Sequence, residues 1–259
     1  MRRVPDDAAA VPSKNAAPGY DNAIDATSIQ SSLKRGSIFR YLPGTKEEAD
    51  EIKKIADNAG AKSTLLSGVN ATKESFLSLT DAASPAILHI ATHGFFFDES
   101  DSVAAFRRKF ETSGKIFSES ANPLFRMGLL FAGGNNIWRG RQTNSAENGV
   151  VTAYDVSTAM YLPNTKLVVL SACETAKGHI DGSEGVYGLQ RAFKIAGARN
   201  LVMSLWKVPD AETSEFMQDF YRNMFNRQSV SDAFYNAQNS MKIKYRNEPY
   251  KWGAWILVR

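Results

Sequence analysis

Ala86-Ile87-Leu88-His89-Ile90-Ala91-Thr92 is a short, nearly unbroken apolar run, the pattern of a strand buried on both faces. Leu167-Val168-Val169-Leu170-Ser171-Ala172 repeats it, and Leu201-Val202-Met203-Ser204-Leu205-Trp206 does so again. Between the last two, EGVYGLQRAFKIAGA has the periodicity of an amphipathic helix ended by Gly197. Strands alternating with helices predict an α/β domain with a largely parallel sheet covered by helices on both faces.

Upstream, Ser37 to Leu42 reads as a short strand stopped by Pro43-Gly44. Thr45 predicts the cap of the next helix (EEADEIKKIADNAG), with Glu48 completing a capping box and Gly60 ending it. A short strand is expected over 62–66 and a helix over 72–80. Downstream of Pro209, two helices (AETSEFMQDFYRNMFN and VSDAFYNAQNSMKIKY) precede a last strand over 252–258. The domain is read as residues 36–259, with 98–150 a long insertion or excursion carrying Gly133-Gly134-Asn135-Asn136. Residues 1–35, rich in Ala, Pro, Asp, Ser and Asn, read as a flexible lead or the remnant of an upstream region.

Composition narrows the function classes. The net charge of +4 is spread along the chain, so no nucleic-acid footprint forms. One cysteine builds neither a disulfide framework nor a multi-thiolate metal site, and it predicts a reducing, cytoplasmic setting. The start, MRRVPDDAAAVPSKNAAPGYDN, lacks the apolar core of a secretory signal. No run approaches the ~18 apolar residues of a membrane span, so no membrane partner is expected.

Active sites on parallel sheets form beyond the carboxyl ends of the strands. His93-Gly94 follows one such end and Cys173 another, and adjacent parallel strands would bring them together. A thiol with a pKa of about 8.5 becomes a good nucleophile at neutral pH beside a base, and imidazole is the suitable partner. Taken singly, Cys173 fits a small buried apolar side chain and His93 a hydrogen-bonded loop histidine. The backbone N–H groups of Gly94 and Cys173 could hold an oxyanion, although Gly94 fits a simple turn as well. His89 and His93 form HxxxH, but four strand residues span about 13 Å, too far to share a metal. His89 therefore reads as a packed or supporting histidine, and His179 as a weaker alternative base. Gly178, Gly182, Gly185 and Gly188 match neither nucleotide-binding glycine pattern and read as a mobile loop. In that loop Asp181 and Glu184 could line an acidic pocket for Lys or Arg, or serve as a turn residue and a helix N-terminal charge. Asp155 and Asp210 are further carboxylates that could face the cleft.

ILHIATHGFF, NPLFRMGLLFAGGN, LVVLSACETA, EGVYGLQRAFKIAGARNLVMSLWKVPD and PYKWGAWILVR follow one another in the order of the CHAT domain's signatures. Over about residues 38–258 the chain resembles that family of caspase-like cysteine peptidases, related to caspases and separases. The resemblance implies a caspase–haemoglobinase fold with a mostly parallel sheet of about six strands. It implies a His–Cys dyad at His93 and Cys173, oxyanion donors at Gly94 and Cys173, a protein substrate, and neither metal nor organic cofactor. It also implies tetratricopeptide repeats upstream, or a regulatory partner in their place. Ala176 stands where the family commonly has Gly after CET, and Arg259 where it commonly has a final Gly. In caspase-like enzymes the stretch corresponding to Ser204–Lys207 resembles a ledge for extended substrate, with Trp206 as an apolar wall or as a plug of the sheet end. The function expected is that of a cysteine endopeptidase. A catalytically silent interaction module and another thiol acyl hydrolase are the alternatives on the same scaffold.

Overall fold

Alternation along the central strands divides their side chains between two layers of helices. The computed structural model describes residues 39–96, 123–125, 127–138, 148–171, 188–206 and 208–259. The elements that place the site are helix α1 (Pro43–Asn58), helix α2 (Lys73–Leu77), strand β1 (Ile87–Ile90) and strand β2 (His93–Phe96). Strand β3 (Met127–Leu130), helix α3 (Gly134–Trp138), strand β4 (Val150–Thr152) and helix α4 (Ala153–Ala159) follow. The chain continues through strand β5 (Leu167–Leu170), helix α5 (Gly188–Ala196), strand β6 (Asn200–Ser204), helix α6 (Asp210–Phe225), helix α7 (Val230–Lys244) and strand β7 (Trp255–Val258).

The main sheet has the order β1-β5-β6-β7, parallel at β1/β5 and β5/β6 and antiparallel at β6/β7. Leu88, Ile90, Val168, Leu170, Leu201 and Met203 face one way, against Val156 of α4 and Leu189 and Phe193 of α5. Leu167, Val169 and Val202 face the other way, against Ile52 of α1, Phe216, Phe220 and Tyr221 of α6, and Phe234 of α7. Period-two side-chain direction and hydrophobic burial on both faces produce the covered sheet that the continuous apolar runs predict. Each fully buried Leu or Phe contributes roughly 1.5–3 kcal/mol.

The main sheet corrects the expected six strands to four among the described residues. Of the two missing strands, residues 39–42 form no ladder, because the Asn135 side chain takes both backbone groups of Phe39, at 2.9 Å each. Residues 62–66 alternate between exposed and half-buried, as an edge strand would, yet adopt no strand. After β1 the chain instead enters a second, antiparallel sheet of order β2-β3-β4. Residues 127–138, within the stretch read as an excursion, supply β3 and α3, and β4 begins at its last residue, Val150.

Local signals explain the helix ends. Gly197 has φ +108°, a left-handed conformation suited to glycine, and it stops α5 where expected. Gly188, which fell both in the glycine run read as a mobile loop and in the helix read over EGVYGLQRAFKIAGA, opens α5, and a Cβ there would strike the Met127 sulfur. The capping box at Thr45 does not form. Pro43 occupies the first turn of α1, Thr45 donates its hydroxyl hydrogen bond to the Leu42 carbonyl, and Glu48 turns inward beside Ile52 and Ala56. The helix expected over 72–80 shortens to α2, whose box is formed by Thr72 and Ser75.

Candidate active site

The parallel register pairs Ile90 of β1 with Leu170 of β5. His93 lies three residues beyond Ile90 and Cys173 three residues beyond Leu170, equal offsets from one paired position. Ser171 continues the pairing, its N–H donating to the Ile90 carbonyl at 2.9 Å. Cys173, His179, Asp181 and Glu184 lie outside the described residues.

His93 opens β2 in register with Leu130, and Gly94 follows in register with Leu129. Thr92, just before them, donates its hydroxyl to the Leu130 carbonyl, which anchors the crossing from one sheet to the other. His93 Nε2 lies 2.6 Å from the Arg40 carbonyl oxygen. A carbonyl only accepts, so Nε2 carries the proton of this bond and the basic lone pair of a neutral ring falls on Nδ1. The Phe39 ring sits 5.0 Å from the imidazole, tilted by 56°. Both residues border a cavity of about 690 Å3 that also touches Asn135, Ser75 and Thr92.

Behind the strand ends lies a polar chain. Ser171 Oγ donates to Glu48 Oε2 at 2.9 Å, and both residues are buried. Glu48 Oε1 lies 3.2 Å from His89 Nε2, within ion-pair reach but too oblique for a hydrogen bond. His89 Nδ1 lies 3.0 Å from the Tyr221 hydroxyl. Burial, and then the charge of Glu48, pushes the Tyr221 phenol well above its ordinary ionisation range, so it is a proton donor here. With Nδ1 accepting from that phenol, a neutral ring carries its proton on Nε2, the nitrogen nearer Glu48.

His89 is thus tied to α1 and α6, the supporting placement that the strand spacing suggests. Sequence reasoning placed Glu48 in a capping box with Thr45 and did not single out Tyr221. The signal for Glu48 was its position on the buried stripe of α1, four residues before Ile52 and eight before Ala56.

The remaining expected residues divide. Ser204 is buried, pairs with Trp255 across β6/β7, and borders a cavity of about 30 Å3 together with Glu48, Ser171 and Asp210. Asp210 opens α6 and also borders a cleft of about 510 Å3 with Glu47 and Glu215. Trp206 is half-buried against the Phe216–Trp255 cluster, and its indole N–H donates to the Tyr250 carbonyl at 2.8 Å. Asp155 is turned away into the capping box of α4 and an ion pair with Lys73 at 3.1 Å. Among the described residues no group of three or more His, Cys, Asp or Glu could hold a metal ion. No helix among them is long and apolar enough to cross a membrane.

The CHAT domain family model matches residues 3–259. The chain belongs to the CHAT domain family. This family is caspase-like. Tetratricopeptide repeat protein 28 of Mus musculus is 32% identical to this CHAT domain over 96 residues, 37% of the chain. Its counterpart of the same name in Homo sapiens is 34% identical over 110 residues, 42% of the chain. In each case the alignment covers 4% of the relative's own length.

Proposed function

We propose that this CHAT domain is a cysteine endopeptidase in which His93 and Cys173 form the catalytic dyad. The observation that carries the reading is the equal offset of the two residues beyond the paired Ile90 and Leu170. His93 takes the Cys173 proton, and the thiolate attacks a substrate carbonyl. The oxyanion rests on the N–H groups of Gly94 and Cys173. The peptide bond breaks as the amine leaves with a proton, and water then hydrolyses the thioester. Substrate lies extended along Ser204 and Trp206, with Asp210, Asp181 and Glu184 as the carboxylates toward its side chains. On this reading the fold is a caspase–haemoglobinase sandwich and the setting cytoplasmic. A tetratricopeptide-repeat region or a partner protein governs the activity, as the names of the relatives suggest.

The test is mapping of cleavage sites in a proteome by purified protein. Cys173→Ala and His93→Ala are expected to abolish cleavage while remaining folded. Cleavage that persists in Cys173→Ala refutes the dyad, and near-normal activity of His93→Ala moves the base to His179.

One observation favours a second reading, a catalytically silent interaction module. The Arg40 carbonyl engages His93 Nε2 while Phe39 packs on the ring. An acyl-type thiol probe discriminates, because it labels Cys173 only when the thiol is activated.

A further inference from the structure

The carboxylate of Glu48 is 3% exposed, inside the interface between α1 and the main sheet. A buried carboxylate is costly unless donors surround it, so its partners are functional constraints on the parts that supply them. The donor is the Ser171 hydroxyl at the end of β5, and the His89 ring of β1 lies within ion-pair reach. Tyr221 closes the chain from α6. Four elements therefore converge on one point, two residues before Cys173 in sequence.

Alternation reinforces the placement. Ser171 falls on the same sheet face as Leu167 and Val169, and His89 on the same face as Ile87. The other strand residues on that face of β5, Leu167 and Val169, are apolar, and beyond the backbone ladder their side chains hold the strand by packing. At Ser171 packing gives way to a directed bond, which fixes position more tightly than apolar contact does.

We infer that Glu48 is a positioning residue, holding Ser171 and through it the β5 end that leads into Cys173; the inference rests on the peptidase reading for its consequence. The role of Glu48 is to hold Ser171, to which its carboxylate is bonded, rather than to react. It acts by keeping the β5 end in its pairing with β1, where the Ser171 N–H meets the Ile90 carbonyl. Because α1 carries it, this carboxylate adds a directed link from that helix to the β5 end beside the packing of Ile52 on Leu167 and Val169.

The chain has a single cysteine, so iodoacetamide reads Cys173 and nothing else. Its alkylation rate is measured against pH for the wild type, Glu48→Ala, Glu48→Gln, Ser171→Ala and the double alanine variant. Hydrogen exchange at the Ser171 amide is followed in parallel. Glu48→Ala is expected to slow alkylation at neutral pH about tenfold, the thiolate loss of a profile moved one unit toward an ordinary thiol. The Ser171 amide then loses protection. Glu48→Gln keeps an acceptor for Ser171 and restores most of both signals. The double variant is no slower than the slower single one, because the two residues act as one unit. Should Glu48→Ala fail to fold, Ser171→Ala carries the same expectation.

Wild-type alkylation and wild-type Ser171 protection in folded Glu48→Ala or Ser171→Ala overturn the inference, whatever the melting temperature. Lost protection with an unchanged alkylation profile overturns it too, since the strand end then has no hold on the thiol. A wild-type Cys173 that titrates as an ordinary thiol defeats the dyad instead. In that case the Ser171 exchange alone decides whether Glu48 holds the strand end.

Discussion

The two faces of the main sheet are built from the same four strands and behave as different materials. The face under α4 and α5 is dry, with Leu88, Ile90, Val168, Leu170, Leu201 and Met203 meeting Leu189, Ala192, Phe193 and Ala196. The face under α1 and α6 has an equally apolar floor, but toward the carboxyl ends of the strands it changes to His89, Ser171 and Ser204. Polar groups there are matched by Glu48 and Tyr221 from the covering helices. The dry face stabilises the domain, and the other face adds directed contacts where the strands deliver reactive residues. Substitutions on the two faces should therefore separate stability from reactivity.

The largest expected effect is on the dry face. Phe193 is fully buried in α5, and Phe193→Ala should destabilise the domain by ~3–5 kcal/mol, the loss of an aromatic plus the cavity it leaves. Its Cys173 alkylation profile should stay that of the wild type at temperatures where the variant is folded. Urea unfolding and alkylation on one preparation check both. A profile altered as in Glu48→Ala would show that the two faces are not separable.

Trp206 tests the boundary between the faces. It packs on the Phe216 cluster and yet follows Ser204 at the site. As a wall of the substrate ledge, Trp206→Ala should lower kcat/KM toward short peptides roughly tenfold, about 1.4 kcal/mol, with little change in melting temperature. A loss of ~3–5 kcal/mol in stability at unchanged kcat/KM would make it a plug of the sheet end.

The dry face was almost fully legible in the sequence, because burial on both sides of a strand leaves continuous apolar runs at 87–90, 167–170 and 201–203. His93 and Cys173 were legible because they follow those runs. The edges of the fold were not. The 39–42 and 62–66 stretches have strand-like residues, but whether a strand joins a sheet depends on a partner's backbone, which local pattern does not encode. Glu48 was misread for a related reason. Its spacing from Thr45 suits a capping box, while its spacing from Ile52 and Ala56 suits burial, and Pro43 at the start of α1 removed the need for the box. A charged residue on a buried stripe is the more informative of the two patterns.

The smallest effect concerns the last link of the polar chain, and pH reads it. The Tyr221 phenol is pushed above its ordinary range first by burial and second by Glu48. In the unfolded chain a phenol ionises near pH 10, while the folded protein keeps this one protonated above that value. Above about pH 10 the folded state thus binds more protons than the unfolded state, and stability falls as pH rises. This contribution is fully present below that pH and is lost above it at up to ~1.4 kcal/mol per pH unit. Tyr221→Phe should remove that part of the slope, at a cost at neutral pH of about 1 kcal/mol for the bond to His89. The measurement is the urea midpoint from neutral to alkaline pH in the wild type and in Tyr221→Phe. If Tyr221→Phe runs parallel to the wild type above pH ~10, the phenol is reached by water in the native state. The polar chain would then be looser at its α6 end than at Ser171, and the hold on the strand end would rest on Glu48 without Tyr221.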